Sequence, residues 1–124
     1  MNLFSIAKKK QTEKIVQDDS KGKIYELINR RRRQMLIHSI IYYRLDANII
    51  DDTTFNVWGR ELLDLQTKYP EISKIVPMYE TFKNWDATTG FDLPMTNNHD
   101  IEVAKMLIKY EEDKRWKVKN WRII

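Results

Sequence analysis

The sequence predicts an all-α domain, and three observations carry that expectation. Only three glycines and three prolines interrupt 124 residues, too few obligatory breaks for a many-turned β fold. Phe55, Trp58, Leu62, Leu65 and Tyr69 step by three, four, three and four, the spacing of one helical face. A short turn, Asp46 to Asp51, separates that face from a long apolar-rich segment, so the two helices must pack as an antiparallel αα-hairpin. One shorter helix and a C-terminal helix are expected to complete a small bundle.

Residues 1–19 hold the lysine triplet Lys8, Lys9 and Lys10 among scattered apolar residues, and predict an N-terminal arm or weak helix. Residues 20–124 then form a single domain. Ser20 or Asp19 caps a first main helix over about Lys21 to Leu45, with Ile24, Leu27, Ile28, Met35 and Tyr42 on one side. Near its end Met35, Leu36, Ile37, Ile40 and Ile41 make it apolar nearly all round, so it must be enclosed by other elements or by a partner. Asp51 or Asp52 caps the second helix, its carboxylate accepting a free backbone N–H. Pro70 cannot continue that helix.

Glu71 to Trp85 predicts one shorter helix with Pro77 near its start or at a kink. "NWDATTGFDLPMTNNHD" reads as a long loop, ordered by Trp85 and Phe91. Asp100 is expected to cap a last helix with Val103, Leu107 and Tyr110 on one face. "KRWKVKNWRII" closes the chain as a basic, aromatic tail.

Composition excludes several function classes. There is no cysteine, which removes disulfides, iron–sulfur clusters and thiolate zinc sites. No apolar run is long enough to cross a bilayer, and "MNLFSIAKKKQ" lacks the features of a secretory signal. The expectation is a cytoplasmic protein with no membrane partner. The net charge of +4 and pI near 9.2 permit acidic partners without demanding them.

Catalytic chemistry finds no carrier. Ser5, Ser20, Ser39 and Ser73 do not stand in a Gly-x-Ser-x-Gly turn, and no phosphate-cradling glycine loop exists. His38 and His99 lie in different elements, and a histidine in an apolar helix is usually packed and hydrogen-bonded, so no metal is expected. Asp46, Asp51 and Asp52 cluster, but a turn and a helix cap both require Asp for backbone reasons. Arg30 to Arg33 cover more than half a helical turn and read as a solvated face, with Arg30 and Arg33 as candidate contacts. In the tail Lys114, Arg115, Lys117, Lys119 and Arg122 alternate with Trp116 and Trp121. That pattern suits phosphate and base stacking, or docking on an acidic protein surface. Trp85 and Phe91 of the loop join this set of contact candidates.

One stretch carries a family likeness. "YYRLDANIIDDTTFNVWGRELLDLQTKYPE", from Tyr42 to Glu71, resembles the N-terminal Ia domain of bacterial NAD-dependent DNA ligases. In that family a helix ends in Tyr-His or Tyr-Tyr. A turn with Asp and Pro follows, then an Asp-x-x-Tyr-Asp helix that runs through Arg-Glu-Leu to Pro-Glu. Here the matching positions are Tyr42, Tyr43, Asp46 and Asp52, then Arg60 to Leu62 and Lys68 to Glu71. The sequence departs at Asn48, where the family has Pro, and at Phe55 and Asn56, where it has Tyr-Asp. The ligase domain grips the nicotinamide mononucleotide half of NAD. The resemblance therefore implies a ligand site at Tyr42, Tyr43, Asp46, Asp52, Phe55 and Asn56, with a face kept at Phe55 and a charge lost at Asn56. Aromatic faces and carboxylates suit a cationic nicotinamide ring, although aromatics at this spacing also serve as core. The Lys-x-Asp-Gly motif that carries nucleotidyl transfer is missing.

Asn29 to Tyr110 is also similar to a family of small phage and prophage proteins of Gram-positive bacteria described as DNA ligase-related. Together these likenesses imply a binding module, not an enzyme, that contacts a host protein, with NAD metabolism or an NAD-consuming defence system of the host as a natural target. Two alternatives stay open: a binder of nicotinamide mononucleotide or NAD with no other cofactor, and a DNA-binding accessory factor that uses the tail.

Overall fold

A computed structural model describes residues 19–120. The arm expected over residues 1–19 lies outside the described residues except for Asp19, which begins the first helix, and the tail residues Trp121 and Arg122 lie outside them too. The described residues are all-α, 73% of them helical, with no strand among them. Five helices follow one another: α1 (Asp19–Tyr43), α2 (Asp52–Lys68), α3 (Pro70–Ile75), α4 (Tyr79–Phe82) and α5 (Asn98–Asn120).

α1 and α2 form the expected antiparallel hairpin. Contacts between them run in opposite senses, Arg32 with Gln66 at one end and His38 with Trp58 at the other. α5 packs along α1 as well, so the apolar stretch of α1 is enclosed within the chain. Met35, Leu36, Ile37, Ile40 and Ile41 are all buried, together with Leu62 of α2, Ala104 of α5, and Val76, Phe82 and Leu93 from the segment between α3 and α5. Each such side chain contributes about 1.5–3 kcal/mol by leaving water. Tyr42, expected on the inner face, is instead 56% exposed. It lies beyond Ile41 on the last turn, where α1 outruns its neighbours.

The turns obey local chemistry. Asp46 adopts a left-handed φ of 49°, which a short polar side chain tolerates, and Ala47 N–H then reaches back to the Ile41 carbonyl at 3.0 Å. Asp51 caps α2 by accepting Thr54 N–H at 2.7 Å. Pro70 opens α3 at its first turn, where a missing N–H costs nothing.

Three expectations need correction. The shorter helix is two, α3 and α4, because Pro77 supplies no N–H and Met78 turns left-handed with φ 68°. The cap of α5 is Asn97, whose side chain accepts Asp100 N–H at 3.1 Å, while Asp100 sits in the first turn where the helix dipole favours an acid. On α5 it is Ala104 that reaches the core, whereas Tyr110 is exposed.

The largest correction concerns the arginine run. Arg30 is exposed and paired with Glu26, and Arg33 is exposed, in keeping with a solvated face. Arg32 is fully buried, at 0% exposure. All five of its N–H donors are used: Nε on Gln66 Oε1 at 2.8 Å, Nη1 on the Val76 and Pro77 carbonyls at 2.9 Å, and Nη2 on Ser73 O at 3.1 Å and Oγ at 2.7 Å. The fork thus satisfies carbonyls at the C-terminal end of α3, where a cation is favoured. Burial lowers its pKa to about 10, so it stays charged at neutral pH.

Candidate functional site

A half-open cavity of about 300 Å³ lies where the end of α1 meets the start of α2. α1 contributes His38, Ser39, Ile41, Tyr42 and Tyr43. The turn contributes Ala47 to Ile50, and α2 with its cap adds Asp51, Asp52, Phe55 and Asn56. Thr88, Thr89 and Gly90, from the loop after α4, form the facing wall.

Five of the six residues singled out from the sequence, Tyr42, Tyr43, Asp52, Phe55 and Asn56, therefore meet around one space. The hairpin achieves this by folding a helix end onto a helix start. Asp46 is not among the lining residues; it is exposed and occupies the left-handed corner of the turn. The contact candidates scatter. Arg30 and Arg33 lie on α1, and Phe91 is 63% exposed beside the cavity with its ring 5.5 Å from that of Tyr43. Trp85 is half-buried and engaged internally, its indole N–H donating to Thr89 O at 2.8 Å and its ring edge-on to Phe82. Arg115 and Trp116 are exposed on the last turns of α5, where the expected tail continues as helix.

Sequence reasoning passed over His38, Ser39 and the 88–90 wall. His38 packs against the Trp58 ring at 5.7 Å, and burial pushes its pKa below the ordinary value while the charge of Glu111 on α5 pulls it back. Ser39 is buried and donates to the Met35 carbonyl at 2.6 Å. Its hydroxyl donates to the helix backbone rather than to the neighbouring imidazole. The cap bonds from Thr54 hold the Asp51 carboxyl below the usual carboxylate range.

The cavity thus combines aromatic faces, carboxylates, an amide and a neutral imidazole. That is equipment for holding a ligand with a cationic or hydrogen-bonding ring. Among the described residues no group of His, Asp and Glu is placed to hold a metal ion, and no helix is long and apolar enough to cross a membrane. No family model, curated protein or solved structure matches this chain.

Proposed function

We propose that the chain is a non-catalytic binding module of the ligase Ia type that takes a nicotinamide nucleotide in the α1–α2 cavity. One observation carries the reading: Tyr42, Tyr43, Asp52, Phe55 and Asn56 line a single cavity although they come from two helices separated by a turn. Phe55 and the tyrosines offer faces to the ring, while Asp51 and Asp52 offer negative charge to its cationic nitrogen. Titration calorimetry with nicotinamide mononucleotide and with NAD tests the proposal. A heat of binding that falls about tenfold in affinity on Asp52→Ala supports it, the loss expected for one charge-assisted contact. Absence of binding by either compound at millimolar concentration overturns it.

A second reading, contact with a host protein, is favoured by a different observation. Residues 112–119 of α5 are exposed on every side, and Arg115 and Trp116 are residue types common at interface centres. In the phage setting implied by the resemblance, an NAD-consuming defence protein is the proposed target. A host protein retained on the immobilised chain and lost on Trp116→Ala supports this reading; identical retention by both variants counts against it.

A further inference from the structure

The wall opposite the helices comes from far along the chain. Apart from Thr88, Thr89 and Gly90, every lining residue belongs to α1, the turn or the start of α2. The wall is also fixed in place by several independent contacts. Gly90 lies directly on Ser39, so that a Cβ there would fall inside the radius of Ser39 Oγ and 2.8 Å from Ser39 Cβ. The Asp86 carboxylate accepts Thr88 N–H at 3.0 Å and its hydroxyl at 2.7 Å. Thr89 is the hub of the segment. Its carbonyl accepts the Trp85 indole N–H at 2.8 Å, its Oγ1 accepts Phe91 N–H at 3.1 Å, and the same Oγ1 shares a 2.8 Å hydrogen bond with Tyr43 OH.

We propose that this segment confines the cavity to one nucleotide unit, and that Thr89, through its bond to Tyr43, is the residue that sets preference for a mononucleotide over a dinucleotide. The inference rests on the nucleotide reading above. A cavity of about 300 Å³ is at the lower end of the ~300–1,000 Å³ range of ligand sites. With the Thr88–Gly90 wall held against α1, a second nucleotide extends beyond the cavity. Tyr43 presents only its ring inward, because its hydroxyl is committed to the wall. Breaking the Tyr43–Thr89 bond leaves Gly90 seated on Ser39 but releases the Thr89 side of the wall from the end of α1, which widens the space there and weakens the grip on the smaller ligand.

Calorimetry compares nicotinamide mononucleotide with NAD on five proteins: the full chain, its Thr89→Val, Thr89→Ser and Tyr43→Phe variants, and the double variant Thr89→Val with Tyr43→Phe. The full chain is expected to bind the mononucleotide at least as tightly as NAD. Thr89→Val should cost about tenfold for the mononucleotide, since the tie to Tyr43 is lost together with the Phe91 N–H bond to Oγ1, and less for NAD, so the ratio falls. Thr89→Ser keeps the hydroxyl and should restore the ratio. Tyr43→Phe should shift it in the same direction as Thr89→Val, and the double variant should add little, as for two partners in one bond. NAD binding tenfold tighter than the mononucleotide overturns this inference and leaves the nucleotide reading standing. A ratio unchanged by both Thr89→Val and Tyr43→Phe overturns the role of Thr89. Failure of both ligands to bind overturns the inference together with the reading beneath it.

Discussion

Arg32 and His38 sit on the same helix and both carry nitrogen donors into the interior, yet their surroundings differ in kind. Around Arg32 every donor meets an acceptor, drawn from α2, α3 and the turn after it. His38 instead packs on Trp58 and faces a cavity. Around Arg32 the middle of α1 spends its polar chemistry on closing the fold. The end of α1 presents aromatic rings and an imidazole to open space, beside the carboxylates that start α2. A buried polar group that is fully satisfied marks the structural region, and the cavity end is the region left open.

The largest effect should come from emptying the satisfied half. Arg32→Met removes the fork and strands the Gln66, Ser73, Val76 and Pro77 oxygens in the interior. The cost should be about 3 kcal/mol or more, which lowers the unfolding midpoint by more than about 10 °C for a domain of this size. Arg32→Lys keeps the charge but not the planar fork, and should recover little of it. Thermal unfolding followed by circular dichroism measures both. An Arg32→Met protein as stable as the parent would remove the structural half of the comparison.

The open half should show itself through pH. Burial holds the folded pKa of His38 below the unfolded value of 6.5. Between those two values the unfolded chain takes up a proton that the folded chain refuses, so stability falls as pH drops below about 6.5. The groups around the imidazole are Glu111 from α5, which opposes the shift, and Asp51 and Asp52 across the cavity. Unfolding midpoints measured from pH 7.5 to 5.5 should decline, and His38→Asn should flatten the decline. Affinity for a cationic nicotinamide ring should weaken over the same interval, since protonation places a like charge in the cavity. A slope unchanged by His38→Asn would assign the pH response to another group.

How much of this was legible in the sequence follows from how local each cause is. The α2 face, an aspartate cap and the αα-hairpin depend on residues within a few positions of one another and appear as expected, with Asp51 taking the cap that Asp51 and Asp52 could both supply. Gathering five ligand candidates around one cavity needed only that hairpin and a family likeness. The burial of Arg32 was hidden because four arginines in a row look alike. The choice among them is made by carbonyls of Ser73, Val76 and Pro77, which no local pattern links to α1. The 88–90 wall was hidden for the same reason, since the Gly90–Ser39 approach joins a loop to a distant helix. Asn97 and Asp100 are both competent caps, and geometry decided between them: Asn97 stands before the unpaired N–H groups and Asp100 among them.

The smallest effect offers the finest cut, within a single pair of aspartates. Asp51 and Asp52 both line the cavity, but Asp51 is already engaged by Thr54. Asp51→Ala should therefore lower the unfolding midpoint slightly, because α2 loses its cap. The depressed pKa of Asp51 means that its contribution is present above the unfolded value near 3.8 and fades as pH falls through the folded value, so the two proteins should converge in strong acid. Among the described residues the Asp52 side chain makes no hydrogen bond or ion pair and adds only its charge to the first turn of α2, so Asp52→Ala should leave the midpoint nearly unchanged while weakening nucleotide binding. Equal loss of midpoint in both variants would mean that Asp52 also serves the fold, and the boundary between the structural and the open region would then have to be drawn inside the cavity itself.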